Sequence, residues 1–240
     1  MLRAALSCGV LSLAGAACGT GPQATSSGSA EVARRAAITK LEASKALIAQ
    51  VSLVTVRQSS PSPLRQSGTY QFAAPERLAV YSTNWNPGVA CAGGQPALVI
   101  DRSVGYVPLP PQCTKWWRIP HGFDAKLLIF MAVAPAAGAK EVSRNGNVYS
   151  YAYSSTANGW TNRWSGEVTV SRGSVTSVKL VDRLEPPASQ YSGASTLKVT
   201  AVYTEVSPLK VRIPVPPAAS ITKFGQVAGL PPPGNTPVAF

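Results

Sequence analysis

The sequence is poor in the residues that most catalytic and metal sites need. It has one histidine, ten acidic residues and four cysteines among 240 residues. A Ser-His-Asp arrangement would depend on His121 alone, and a zinc site would need more ligands than His121 and two cysteines. Paired carboxylates stay open as an alternative, although Asp101, Asp124 and Asp182 are the only aspartates. We therefore expect no enzyme, no catalytic residue, no metal and no cofactor.

Long apolar runs and clustered charges are also missing after the N-terminus. The longest apolar stretch, Leu127 to Ala137, is about half of the roughly 20 residues that a membrane span needs. The formal net charge is +12, but bases such as Lys179, Lys198 and Lys210 stand singly between apolar residues. A nucleic-acid binder would cluster them. We expect no nucleic-acid partner, and either a solvated basic surface or one facing anionic headgroups or acidic glycans.

The first 17 residues have the three parts of a secretory signal. Arg3 gives a positive start, residues 4–13 are apolar or small, and further small residues follow. Cys18 comes next and resembles the lipidated cysteine of bacterial lipoproteins, although Gly15 stands where leucine is usual. We expect residues 1–17 to be removed, and residues 18–29 to form a flexible tether with a lipid on Cys18. A plain secretory signal is the alternative, and both place the protein in the cell envelope, in the periplasm or on the outer face of the cytoplasmic membrane.

The remaining cysteines agree with export. Cys8 lies in the signal and Cys18 at its end, so Cys91 and Cys113 are the only pair left in the chain. Outside the cytosol such a pair is usually oxidised. We predict a disulfide between Cys91 and Cys113, with two buried thiols as the alternative.

Two helical segments are expected. Apolar residues recur at about helical spacing from Val32 to Ile48, which predicts a helix from Ala30 to Gln50 capped by Ser29. The second segment lies within residues 122–137 and is apolar nearly all round, so it is either buried or faces an apolar ligand. Asp124 is positioned to cap it, and Pro135 is expected to limit its end.

The rest of the chain alternates with the period of strands. Two-residue hairpin links are predicted at Arg102-Ser103, Asn145-Gly146 and Arg172-Gly173. Tyr149, Tyr151 and Tyr153 share one face of a strand, where they either meet a ligand or cover the sheet. Leu209 to Ile213 is predicted as the last strand, and the proline-rich residues 218–240 as a loose tail. Many antiparallel strands with helices to one side predict an α+β domain over residues 30–217.

Four features occur in an order that resembles a known family. They are Cys18 with its tether and one helix, the hairpin Gly68–Phe72 with Arg77–Val80, Leu98–Asp101 followed by Trp116-Trp117, and a late hairpin near Gly173 before Val211–Pro214. This order is similar to the LolA-like superfamily of bacterial periplasmic carriers of lipids and lipoproteins, with the mycobacterial LppX/LprG-type lipoproteins as the closest likeness. Arg102 stands where that family usually has a turn glycine.

The resemblance implies a strongly curved antiparallel sheet, or half-open β-barrel, with helices plugging its concave side. The cavity between them would hold acyl chains, so the protein would be a lipid carrier or chaperone of the cell envelope. The alternatives are an RseB-like envelope sensor that binds a protein partner, and a surface lipoprotein that only adheres. The residues expected to line the cavity are Leu78, Val80, Phe123, Leu127, Leu128, Phe130, Met131, Val133 and Tyr151.

Overall fold

The computed structural model describes residues 27–58, 60, 62–82, 91, 94–109, 113–120, 122–187 and 193–222. The signal, Cys18, His121 and most of the predicted tether and tail lie outside these residues. The helices and strands are α1 (Ser27–Glu42), β1 (Ala46–Arg57), β2 (Leu64–Ala73), β3 (Arg77–Ser82), β4 (Leu98–Asp101), β5 (Val104–Pro108), β6 (Trp116–Ile119), α2 (Ala125–Phe130), α3 (Ala134–Gly138), β7 (Val142–Asn145), β8 (Val148–Ala157), β9 (Trp160–Ser171), β10 (Ser174–Glu185), β11 (Ser195–Glu205) and β12 (Ile221–Thr222). None of these helices is long and apolar enough to cross a membrane.

The strands form one curved, unclosed sheet of 12 strands. Their order is β12-β6-β5-β4-β3-β2-β1-β11-β10-β9-β8-β7. Neighbours are antiparallel except β12 and β6, which are parallel. Because β7 and β12 do not pair with each other, the sheet has two edges. This large antiparallel sheet with few helices confirms the coarse part of the predicted fold class.

One face of the sheet, called here the covered face, carries the main hydrophobic core. Alternate residues of most strands point into it, as Leu47, Ala49, Val51 and Leu53 do on β1. Residues of α1, α2 and α3 belong to the same buried cluster. The three helices and the covered face therefore share a single apolar layer.

The prediction for the first helix is wrong at both ends and on its face. Helix α1 begins at Ser27 and ends at Glu42, so Ser29 lies in its first turn and Leu47 and Ile48 belong to β1. Val32 is exposed, whereas a different row faces the sheet. The alanines on both sides of the helix make two faces nearly equal by pattern, and contact with the sheet decides between them. That buried row consists of Ala30, Arg34, Ala37, Ile38 and Leu41.

The second apolar segment forms two short helices joined by a turn. The predicted cap is confirmed, because Asp124 Oδ1 accepts hydrogen bonds from the backbone N–H groups of Lys126 and Leu127 at 2.8 and 3.0 Å. Pro135 does not end a helix. It lies in the first turn of α3, where the missing N–H group costs no hydrogen bond.

The predicted two-residue hairpin links at Arg102-Ser103 and Arg172-Gly173 are confirmed, and each joins two antiparallel strands. The third hairpin is also present, but β7 includes Asn145, so its link is Gly146-Asn147 and the prediction is one residue too early. Arg102 adopts the left-handed conformation with a φ of 58°, so an arginine takes the backbone shape that usually favours glycine. The predicted strand from Leu209 to Ile213 is wrong. Residues Pro208–Lys210 form a 3₁₀ turn, because β11 already has β1 and β10 on its two sides and Pro208 has no N–H to donate.

The chain after β11 returns to the far edge of the sheet on the opposite face. There Ile213 and Ile221 pack against a second buried cluster of Val99, Tyr106 and Trp116. Residues Ile221–Thr222 pair with Trp116 and Trp117 as β12. The first five residues of the predicted tail, 218–222, are therefore a 3₁₀ turn and a strand.

The predicted disulfide between Cys91 and Cys113 is confirmed. Cys113 lies shortly before β6, and Cys91 lies shortly before β4. The bridge thus joins the segments that lead into two strands of the same end of the sheet.

Candidate functional site

Most of the residues predicted to line a cavity come together beneath the helices. Those inside the main core are Leu78, Val80, Leu128, Phe130, Val133 and Tyr151. Phe123 and Met131 are partly buried and pack against its margin. Leu127 does not join them, because 64% of it is exposed on the outer side of α2.

The region beneath α2 is packed by apolar rings and held by one buried polar bond. Phe130 meets Phe72 of β2 edge-on, with the ring centroids 5.9 Å apart. The ring of Phe123 lies directly over Gly105 of β5, where a Cβ atom would collide with it. The Tyr203 hydroxyl donates to the Ile129 carbonyl at 3.0 Å and so ties α2 to β11. We call this part, α2 with β2 to β5 and β11, the α2 half.

The region beneath α1 and α3 differs because a charged side chain lies in its core. Arg34 is in the buried row of α1 and is 0% exposed. Its Nη2 donates to the Ala139 carbonyl, just after α3, at 2.8 Å. Its Nε and Nη1 have no hydrogen-bond partner among the described residues. We call this part, α1 and α3 with β7 to β10, the α1 half.

Tyr149, Tyr151 and Tyr153 share the covered face of β8, as predicted, and the last two interact electrostatically with Arg34. Tyr151 lies over Gly166 of β9, with its hydroxyl 2.8 Å from where a Cβ would stand. That hydroxyl is buried and has no partner within the described chain. Tyr153 stacks on Trp164 at 4.8 Å and reaches Gly138 of α3.

The α1 half also contains a half-buried acid. Asp182 of β10 lies opposite Trp164 of β9 and accepts a hydrogen bond from it. Its Oδ1 is buried and has no partner in the described ranges. Burial raises the pKa of Asp182, and the bond from Trp164 opposes that rise only in part.

Burial dominates the electrostatics of both halves. It lowers the pKa of Arg34, as does neighbouring Arg35, whereas Glu31 opposes both effects. Burial also raises the pKa of Tyr151 and Tyr203, and it raises the pKa of Tyr70 to about 12. The neutral form of each tyrosine is therefore favoured in the folded protein.

Sequence reasoning missed Arg34 and Asp182 as members of this region. A signal for Arg34 was present, because it stands four residues after Ala30 and four and seven before Ile38 and Leu41. Such a spacing puts it inside an apolar row. The predicted apolar row includes Val32 rather than Ala30 and Ile38, so it does not single out Arg34.

No protein-family model matches this sequence, and no curated protein does. Among solved structures, the chain is similar to a LolA superfamily protein from Nitrosomonas europaea. The two share 10% sequence identity over 75% of this chain and 92% of that chain, with a TM-score of 0.30.

Proposed function

We propose that this protein is exported and binds a lipid or acyl chain between the covered face of its sheet and helices α2 and α3. In this proposal the helices occupy the concave side of the sheet, and the protein acts as a lipid carrier or chaperone in the cell envelope. The observation that carries the proposal is the single apolar layer from β4 across to β8 beneath two very short helices. This function makes and breaks no covalent bond, so it requires no catalytic residue.

The apolar layer has the chemistry that an acyl chain needs. Burial of apolar surface contributes about 25 cal/mol per Å², without a requirement for directional bonds. The small residues Ala125, Ala132, Ala136 and Ala139 bring the backbone of the α2–α3 segment close to the sheet. If an acyl chain moved this segment outward, apolar contacts with the ligand would replace the segment's apolar contacts with the sheet.

The α2–α3 segment is also the part of the cover that can move at least cost. Helices α2 and α3 have 6 and 5 residues, whereas the strands beneath them belong to a 12-stranded ladder. Local opening is cheapest where few hydrogen bonds hold an element. The Tyr203 bond to Ile129 is the buried side-chain bond that ties α2 to the sheet.

In this proposal the N-terminal signal directs the protein to the cell envelope. Cys18 carries the lipid that holds the protein at a membrane, and the tether gives the domain reach. Changing Cys18→Ala should move the protein from the membrane fraction to the soluble fraction of the envelope. A variant that stays in the membrane fraction would contradict the anchor and leave the ligand proposal intact.

The ligand proposal is tested by native mass spectrometry on the chain without residues 1–18, secreted into a bacterial envelope so that it can load. A co-purifying acyl lipid at about one per chain is the expected result, and extraction identifies its class. A protein that is empty, and that also takes up no fluorescent fatty acyl probe, would contradict the carrier function.

An RseB-like sensor or interaction module is the second candidate, and one observation favours it. Leu78, Val80 and Val133 are fully buried and fill the interior, as a protein without lipid cargo requires. An open depression on the opposite face, over β2, β1 and β11, gives a partner another surface, lined by Gln50 and Thr69 among others. A photo-reactive residue at position 69 should then cross-link to an envelope protein, whereas one at Leu127 should not.

A further inference from the structure

Arg34 is the buried group whose chemistry the proposed function does not yet use. A guanidinium has five N–H donors in a fixed plane, and it stays charged in proteins. Here one nitrogen donates to the Ala139 carbonyl, while Nε and Nη1 lack partners throughout the described chain. The side chain is 0% exposed, so bulk water does not contact these donors directly.

The neighbouring acid on α1 does not neutralise Arg34 by a direct bond. Glu31 lies one turn earlier, but its carboxylate pairs with Arg35 at 2.7 Å. A buried charged donor without its hydrogen bonds is strongly unfavourable. An external carboxylate or phosphate would satisfy these free donors, because each of its oxygens can accept a charge-assisted hydrogen bond from a guanidinium N–H group.

A second buried donor points to the same kind of ligand. The Tyr151 hydroxyl, on the strand that faces Arg34, belongs to a residue only 4% exposed and lacks a partner in the described part of the chain. Arg34 bonds to the Ala139 carbonyl, and Tyr153, which shares the covered face of β8 with Tyr151, reaches the adjacent Gly138, so Arg34 and Tyr151 lie in the same part of the core. One anionic group can accept bonds from both side chains.

We infer that Arg34 and Tyr151 bind the anionic headgroup of an amphiphile, a carboxylate or a phosphate, whose acyl chain lies along the apolar layer of the α2 half. The inference rests on the proposed lipid-binding function and adds the class of lipid. Both halves belong to one buried cluster, so the acyl chain and the headgroup would lie in adjoining parts of the same core. Because Arg34 is fully buried, the side chains between α1, α3 and β8 rearrange to admit the headgroup.

The experiment compares ligands that have the same acyl chains and carry either an anionic or a neutral headgroup. Binding of palmitate and hexadecanol, and of phosphatidylglycerol and diacylglycerol, is measured by displacement of a fluorescent acyl probe from the chain without residues 1–18. The unchanged protein should prefer the anionic member of at least one pair by about tenfold or more. The pair that shows the preference distinguishes a carboxylate from a phosphate.

The variants assign that preference to a side chain. Arg34→Met should remove it while keeping the affinity for the neutral ligand, since methionine keeps an unbranched apolar stem. Tyr151→Phe should reduce it. Arg35→Met is the matched control, because Arg35 is exposed on the same helix and pairs with Glu31. Thermal unfolding of each variant verifies that it is folded.

The outcomes separate the two proposals. Equal affinity of the unchanged protein for charged and neutral ligands would overturn the headgroup site and leave the carrier standing. A preference that survives in Arg34→Met, or that disappears equally in Arg35→Met, would also overturn the assignment to Arg34. Failure to bind any of the four lipids would overturn the carrier itself.

Discussion

The α2 half and the α1 half both bury side chains between helices and sheet, but those side chains differ in their chemistry. Under α2, rings such as Phe123 and Phe130 fill the space, and the buried hydroxyl of Tyr203 has its acceptor. Under α1, Arg34 and Tyr151 are equally buried, yet polar atoms of both lack hydrogen bonds within the described chain. One half is complete as an apolar core, and the other is arranged for polar bonds that its own residues do not make.

This difference indicates that the α2 half contributes mainly to stability and that the α1 half is the part suited to binding. A satisfied core gains free energy from every buried group, whereas an unsatisfied buried polar group costs free energy until a partner arrives. Natural proteins keep few such groups, and those that persist are often functional. The α2 half should therefore lose much when its side chains are removed, and the α1 half should lose little.

The largest expected effect is the contrast between Phe130→Ala and Arg34→Met. Removing the buried ring beneath α2 should lower the free energy of unfolding by about 3–5 kcal/mol. Arg34→Met removes the bond to Ala139 together with an uncompensated charge, so its cost should stay within about 1 kcal/mol. Urea unfolding of both variants measures the difference.

Leu127→Ala is the control for this contrast, because the same kind of truncation on the exposed side of α2 should change stability by less than about 0.5 kcal/mol. An Arg34→Met variant as unstable as Phe130→Ala would mean that the arginine is a satisfied structural group. The comparison between the halves would then be wrong.

A pH prediction follows from Tyr70, whose pKa is raised by burial from 10.0 to about 12. The folded protein holds this proton more tightly than the unfolded chain does. The stability that Tyr70 contributes is therefore complete below pH 10 and is lost as the pH rises through about 12.

The free energy of unfolding of Tyr70→Phe should therefore decrease less between pH 10 and about 12 than that of the unchanged protein. The difference should reach about 2–3 kcal/mol at the upper end of this range. Urea unfolding across this pH range measures it. An unchanged alkaline slope would show that Tyr70 is not desolvated in the folded protein.

Removing one tyrosine hydroxyl from each half should give a smaller difference in the free energy of unfolding. Tyr203→Phe leaves the Ile129 carbonyl without its donor, so it should cost about 1–3 kcal/mol and speed the exchange of a bound acyl probe. Tyr151→Phe removes a hydroxyl that has no partner in the described residues, so it should be neutral or stabilising in the ligand-free protein. Equal losses in the two variants would remove the distinction.

Local signals predicted the strands well and the helices poorly, for a physical reason. A link such as Arg172-Gly173 determines its own hairpin, because both residues have positive φ and this backbone conformation suits few other residue pairs. Helix α1 has no comparable signal at its end, and Leu47 fits a helical row as well as the alternation of β1. Only pairing of β1 with β2 and β11 decides in favour of the strand.

The candidate site was predictable only where burial follows from hydrophobicity. Phe130 and Val133 are apolar, so a position under the sheet was the natural expectation. Arg34 is charged, and its burial depends on which side of α1 the sheet happens to contact. A rule that puts arginine at the surface fails at the position that carries the inferred headgroup site.

The smallest expected effect concerns two arginines at hairpin turns, one in each half. Arg102 between β4 and β5 and Arg172 between β9 and β10 have φ values of 58° and 53°, a region that glycine enters without strain. Arg102→Gly should raise the free energy of unfolding by about 0.5 kcal/mol, since relief of left-handed strain exceeds the added entropy of the unfolded chain. Thermal unfolding measures the gain.

Arg172→Gly should give the same gain, because its side chain is exposed and its carbonyl still accepts the bond from Lys40 at 3.1 Å. Turn strain is a property of the backbone, so it should not depend on what lies beneath the helices. A clear loss in Arg172→Gly alone would mean that the end of α1 stabilises this turn through more than the Lys40 bond, and the α1 half would then be held more firmly than its unsatisfied core predicts.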